Sequence, residues 1–344
     1  MTTLLFPDMM TLVRSGLFDR MPSPEELERI ASLELGQWKE IVTMVREQTV
    51  SGIASHAVTR IAETVRVPDS ILFNLMADAE RIAVRSRRII RTAEKIDEVL
   101  SAQGFHPVVM KGPAVAAWYP KPELRVSGDI DLYFPPEEME PVRDWISKAG
   151  LPTKKAPDGS FHFDTEGTDV DVHGAYFDLH CDASLLPGVP SPEATLLMLS
   201  AHILKHACGT GVGLRQLCDM AIAYHALDGQ YEPDALKALY QRTKTLKWNQ
   251  LLSAFLNTWL EARVPDFAPE RPVSPAPLEK IVLEGGNFGH FAAQRQKAMT
   301  GSEGRRKADT LLRMLRRLPF SMKYAPGETI SRLRALTNGN MRRR

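Results

Sequence analysis

The sequence predicts an α+β protein: a small mixed-sheet core flanked by N-terminal and C-terminal helical regions. Three observations predict it. Apolar residues recur at helical spacing up to about residue 103. Between His106 and Tyr176 the pattern changes to short apolar runs of strand character, broken by turn residues. Helical spacing returns after the proline-rich stretch Pro187-Gly188-Val189-Pro190-Ser191-Pro192.

In the first region Ser23-Pro24-Glu25-Glu26 is a helix start: a capping Ser, Pro in the first turn, then carboxylates at the positive end of the helix dipole. Ile30, Leu33, Ile41, Val42 and Val45 mark amphipathic packing. A long helix is expected from about Ile71 to Gln103, with Arg81, Arg85, Arg87, Arg88 and Arg91 along a solvated face. His106 to Met110 then reads as a strand, Lys111-Gly112-Pro113 as a turn and Ala114 to Trp118 as a short helix. Val126 to Phe134 reads as a second strand and Pro136 to Ala149 as a helix. Phe161-His162-Phe163 and Asp169 to Tyr176 form a hairpin around Glu166-Gly167-Thr168. Helices are expected at Glu193 to Ala207, Leu214 to Leu227, Pro233 to Thr243 and Trp248 to Glu261. A proline-rich linker follows at Pro265 to Pro277, and tail helices near Lys307 to Leu318 and after Gly327. The organisation is therefore read as 1–103 helical, 104–190 the α/β core, 191–300 a helical substrate-side domain, and 301–344 a basic tail.

Bulk properties narrow the class. With 344 residues, 44% hydrophobic and 25% charged, the chain is long enough for a sizeable core and has no compositional sign of disorder. Net charge is +1, yet Gly301 to Arg344 holds 12 Lys/Arg and 3 Asp/Glu, a local charge of +9. Such a tail can meet phosphate-rich partners, nucleic acid included. A solvated helix face explains it more simply, so a nucleic-acid site is not favoured. Cys181, Cys208 and Cys218 show no paired spacing, as expected of reduced thiols in a cytoplasmic protein. No signal-peptide pattern and no apolar run of membrane-spanning length is present.

The chemistry concentrates at Asp129 and Asp131. Two apart in a strand pattern, they share one face. Paired carboxylates repel, and hard oxygen ligands suit Mg²⁺ or Mn²⁺. Gly128 leaves room for a close approach. A third acid is expected from a neighbouring strand: Asp171, with Asp169 as its rival on the same face. Three carboxylates around metal suit in-line phosphoryl or nucleotidyl transfer. The turn at Lys111-Gly112 opens a helix whose N-terminus offers donors to phosphate. Lys111 and Arg125 add charge there.

The run Val108 to Phe134 resembles the uncharacterised nucleotidyltransferase family of the DNA polymerase β superfamily. The resemblance is carried by Lys111, Gly112, Tyr119, Pro120, Arg125, Asp129, Ile130, Asp131 and Leu132. It continues at Asp171 and His173, at His202, Lys205, His206, Leu214, Arg215 and Asp219, at Gly285 to Gly289 and at Tyr324 to Glu328. The resemblance implies a minimal polymerase β-like core, a nucleoside triphosphate (NTP) donor and Mg²⁺ or Mn²⁺ held by Asp129, Asp131 and Asp171. Lys111, Gly112, Arg125 and Gly128 would hold the triphosphate. The acceptor, whether small molecule, sugar, peptide, protein or RNA end, is left open, as is the oligomeric state. One departure stands out: Pro113 follows Gly112 where the superfamily has Gly or Ser, and proline removes a phosphate donor.

The histidines supply substrate-side candidates. His202 and His206 are four apart on one helix face, and with Asp219 they are one reading of a second metal site. The plainer reading is packing beside the active site, with Lys205 and Arg215 reaching substrate. His173 shares a face with Asp171 and could orient a carboxylate or exchange a proton. Two rival functions stay open: glycosyl or phosphoryl transfer at the same site, and a non-catalytic nucleotide- or RNA-binding protein.

Overall fold

Local chemistry sets the helix ends. In the computed structural model, which describes residues 3–156, 158–209, 211–285 and 315–337, Ser23 caps helix α2 (Pro24–Ala31) and Glu26 reaches back to close a capping box. Helices α1 (Phe6–Leu17), α3 (Leu35–Glu47) and α4 (Ser51–Ile61) bury apolar faces against each other. Helix α5 (Asp69–Ala102) runs 34 residues. Buried Asp78 on α5 holds Arg46 of α3 at 2.6 Å and also pairs with Arg81. The remaining arginines of α5 lie at its exposed face, as expected; Arg85 and Arg88 donate to the carbonyls of Gly128 and Gly167.

The sheet has five strands in the order β1 (Val108–Val109), β2 (Ile130–Tyr133), β5 (Thr168–His173), β4 (Phe161–Thr165), β3 (Lys154–Lys155). It is mixed: β2 and β5 run parallel, and the other neighbours are antiparallel. The α+β class read from the sequence is the architecture found. Alternation along the strands divides the sheet into two faces. Ile130, Leu132, Phe161, Phe163, Val170 and Val172 point into a core closed by Ile89, Ala93 and Leu100 of α5 and by Met139, Val142 and Ile146 of α7 (Met139–Lys148). Asp131, Tyr133, His162, Asp164, Asp171 and His173 are left for the other face.

That second face looks towards helices. α8 (Pro192–Ala207), α9 (Leu214–Ala226), α10 (Pro233–Arg242), α11 (Leu246–Trp259) and α12 (Ala276–Gly285) build a core together with α1, α3 and α4. The helical regions before 103 and after 191 thus share one interior. Fully buried Gln48 on the N-terminal side donates to the carbonyl of Val282 and accepts from Leu214 N–H, both at 2.9 Å. Phe6 meets Trp259 edge-on, with ring centroids 4.7 Å apart.

Several boundaries differ from expectation. β2 starts at Ile130, so Val126 to Asp129 precede the strand. The reason is local: the Val126 carbonyl accepts from Arg125 and Arg215 side chains instead of a neighbouring strand. β3 and α12 were not foreseen. Gly286 to Gly289 of the glycine-rich motif, and residues 301–314 and 338–344 of the basic tail, lie outside the described residues. Residues 315–324 are helical, and α13 (Pro326–Thr337) follows. Glu328, on α13, accepts from the backbone N–H and Nδ1 of His180, at 2.6 and 2.8 Å.

Gly16 sits where α1 crosses α4; a Cβ there would stand 2.0 Å from the carbonyl oxygen of Ile53. Gly16→Ala should therefore lower the unfolding free energy by about 2 kcal/mol or more, since backbone must move to make room. An unchanged midpoint in denaturant would contradict this crossing.

Candidate active site

The acids reach the site by strand register. Asp131 of β2 and Asp171 of β5 are direct partners in the parallel pair, so their side chains leave the sheet side by side. Asp129 stands immediately before β2. Asp169 shares the β5 face but lies two residues back, paired with Asp164 and exposed. His162 lies opposite Asp171 on the β4 side.

Electrostatics tie these groups together. Burial and the charge of Asp131 both push the Asp129 carboxyl above its ordinary range, against Lys111 and Arg215. Burial and Asp131 likewise raise Asp171. Asp131 behaves in the opposite way. Burial would raise it, but the Lys111 ammonium, and then the His173 hydrogen bond, hold it well below the carboxylate range. Both partners reach the same oxygen: Lys111 Nζ and His173 Nε2 each lie 3.0 Å from Asp131 Oδ1. Burial works against the Lys111 charge, yet Asp131 and Asp178 keep its pKa raised.

The expected convergence of three carboxylates on a metal is not seen in these side-chain positions. Among the described residues no three His, Cys, Asp or Glu side chains are gathered as a cation cage. Lys111 and His173 take up the charge of Asp131 instead. The donor set still fits a hard divalent cation. All three groups are carboxylates, and burial together with the charge of Asp131 raises the other two, which an added positive charge relieves.

The turn after β1 is narrower than expected as a phosphate cradle. Gly112 adopts φ +55, and a Cβ there would lie 3.3 Å from the Asp129 carbonyl oxygen, so the position demands glycine. The helix it opens, α6 (Pro113–Ala116), has four residues. Pro113 has no N–H, and Ala114 N–H donates to the Lys111 carbonyl at 3.1 Å. Lys111 is the charge this turn brings to the acids. At Gly128 a Cβ would meet open space, so that position leaves room beside Asp129.

Arg125 has a task other than the expected phosphate contact. Its guanidinium makes a fork to Asp219 of α9, Nε to Oδ1 at 2.9 Å and Nη2 to Oδ2 at 2.6 Å. Tyr119 Oη donates to the same Oδ1 at 2.7 Å. Nη1 donates to the Val126 carbonyl and to Ser127 Oγ, each at 3.1 Å. Both charges are buried, with side chains 5% and 8% exposed, and a buried charge must be paired. Asp219 is thus spent on Arg125, and among the described residues it is not gathered with His202 and His206. Arg215, one turn before Asp219, donates to the Val126 carbonyl at 2.9 Å and lies near enough to Asp129 to lower its pKa.

His202 and Lys205 project from α8 to Asp178, a residue the sequence reading missed. His202 Nδ1 donates to Asp178 Oδ2 at 3.2 Å, and Lys205 Nζ to Oδ1 at 2.8 Å. Burial would raise Asp178, but these two partners hold it well below the carboxylate range. Burial, then the Lys111 charge, lower His202 to about 4, so the imidazole is neutral at neutral pH. His206 packs edge-on against His202 at 4.6 Å. Asp178 lies in an irregular segment after β5, where no periodicity marks it. A cavity of about 540 Å³ opens between these groups and the acids; Lys111, Asp171, His173, Asp178, His202 and Lys205 are in its wall.

Fold and site together define an α+β protein whose mixed sheet carries a carboxylate-rich face beneath a helical cover. The family model for uncharacterised nucleotidyltransferases matches residues 34–261, and the chain belongs to that family. The match begins well before Val108, where the motifs that carry the resemblance start, and ends before the glycine-rich motif at 285–289. No curated protein and no solved structure matches the chain.

Asp219→Ala should leave Arg125 buried and unpaired, lowering stability by about 3–5 kcal/mol in chemical denaturation. Arg125→Ala should cost a similar amount. A fully stable Arg125→Ala protein that loses only nucleotide affinity would return Arg125 to a phosphate-binding role.

Proposed function

We propose that this chain transfers a nucleoside monophosphate from an NTP to an acceptor on a polymerase β-like core. The family match supports the generic chemistry. The observation that carries the finer reading is the shared register of Asp131 and Asp171 on parallel strands, with Asp129 beside them and Lys111 at 3.0 Å. Asp129, Asp131 and Asp171 would hold Mg²⁺ or Mn²⁺, which supplies charge stabilisation to the phosphoryl oxygens when bound. Asp169 is the weaker third ligand, because it is exposed and out of register with Asp131.

The protein's own groups divide the remaining work. Lys111 brings a mobile positive charge to the phosphate side of the acids. Gly112 lets its turn come close to Asp129, and the open space at Gly128 admits the donor. His173 orients Asp131 through its Nε2 hydrogen bond. The acceptor occupies the cavity between the α/β core and α8, which makes the helices after 191 the substrate side. Among the described residues no helix is long and apolar enough to cross a membrane.

The test is a binding screen of the four NTPs with and without Mg²⁺, followed by product mass. Mg²⁺-dependent NTP binding is expected, abolished in Asp129→Asn and Asp131→Asn. Lys111→Ala should weaken affinity about tenfold or more, as for a lost charge-assisted contact of about 1.5–3 kcal/mol. Product should gain a nucleoside monophosphate. A gain of phosphate or hexose would establish the rival transfer chemistries, and full function without the acids would establish a binding protein.

A further inference from the structure

The cavity wall holds one titratable group that metal and phosphate binding leave unused. His202 spends Nδ1 on Asp178. Among the described residues Asp178 is its only hydrogen-bond partner, and Nε2 does not count among the sealed, unsatisfied polar atoms. His202 stands in the cavity wall, and its tautomer is set: Nδ1 carries the proton that Asp178 accepts, and Nε2 presents a lone pair. Lys205 holds the other oxygen of Asp178, so the carboxylate cannot swing away from the imidazole. A base oriented by a half-buried carboxylate is an arrangement for taking a proton from a substrate hydroxyl.

We propose that His202, oriented by Asp178, is the general base for the acceptor, and that the acceptor is a small hydroxyl-bearing molecule. This rests on nucleotidyl transfer as the activity. The acceptor O–H gives its proton to His202 Nε2. The freed oxygen lone pair forms the bond to the α-phosphorus, and the bond from that phosphorus to the bridging oxygen breaks. Pyrophosphate leaves with the electron pair, and Asp178 stabilises the imidazolium.

Two observations favour this assignment over Asp171 as base and over a macromolecular acceptor. Asp171 stands in register with Asp131 among the carboxylates that would hold metal, so its lone pairs are committed there. The cavity, at about 540 Å³, falls within the range of about 300–1,000 Å³ usual for small-molecule pockets. Met139, Tyr176, Phe177 and Met198 add apolar surface to its wall. The imidazole touches Asp178 from the segment after β5 and His206 from its own helix, and it feels the charges of Lys111 from the turn after β1 and Asp131 from β2. Burial, then the Lys111 charge, keep it neutral against the two carboxylates.

The experiment compares wild type, His202→Ala, His202→Gln and Asp178→Asn. Each is given Mg²⁺ and ATP, GTP, CTP or UTP, with water and glycerol as acceptors. Pyrophosphate release, product mass and NTP affinity are measured on the same samples. Both His202 variants should turn over about 100-fold or more slowly with NTP affinity within about twofold of wild type. Asp178→Asn should be slowed by about tenfold, through the lost orientation of His202. Added imidazole should restore turnover to His202→Ala, an effect that loss of a merely structural histidine does not give. Wild-type rates in either His202 variant overturn the assignment and leave Asp171 as the base. So does an NTP-binding His202→Ala that imidazole fails to rescue. Wild type that binds NTP yet transfers to neither water nor glycerol overturns the hydroxyl acceptor. Wild type that binds no NTP overturns the nucleotidyltransferase reading itself.

Discussion

The site depends on one buried ion pair, Arg125 with Asp219. The segment from Arg125 to Asp129 belongs to no strand and has few ladder bonds to fix it. It is fixed by side chains. Ser86 of α5 donates to the Arg125 carbonyl at 2.8 Å. Asp219 of α9 holds the guanidinium, and Tyr119 braces Asp219. Arg215 grips the Val126 carbonyl. Three elements from distant parts of the sequence thus converge on a short loop, and the loop delivers Asp129 to the head of β2. A buried ion pair is a weak source of net stability, because desolvation cancels much of the attraction. Its strength is geometric: a forked pair accepts few alternatives, so it specifies where α9 lies against the core.

A second constraint follows from crowding like charges on one sheet face. The three acids cannot all stay ionised and close without a counter-charge. In this structure the Lys111 ammonium supplies it to Asp131 and His173 adds a hydrogen bond, while Asp129 and Asp171 stay raised. On the proposed function, donor phosphate and cation would take over this neutralisation. Lys111 lies between Asp131 and Asp178 in electrostatic terms, linking the acid face to the His202 cluster. A change at either end is felt at the other through one ammonium group.

Much of this was legible from sequence. The Ser23 cap, the long α5, the hairpin and most helices after 191 follow from local chemistry and period, which the chain carries in consecutive residues. The common face of Asp131 and Asp171 was readable because period two assigns a face, whereas Asp129 stands before β2. Partners were less legible. Arg125 looked like a phosphate ligand because its charge was visible and Asp219, 94 positions away, was not identifiable as its mate. Asp178 left no pattern because it sits in irregular chain. Amphipathic periodicity likewise reports which side of a helix is buried without naming what buries it. That is why α1, α3 and α4 were read as a region of their own when they share an interior with α8 to α12.

The central claim is that Asp129, Asp131 and Asp171 form one cation-holding centre for an NTP. Anomalous scattering from crystals grown with Mn²⁺ and a non-hydrolysable NTP tests it most directly. The account predicts a manganese peak bounded by these three carboxylates, with the triphosphate beside Lys111. A peak elsewhere, or a triphosphate bound away from Lys111 with no metal at the acids, would contradict it.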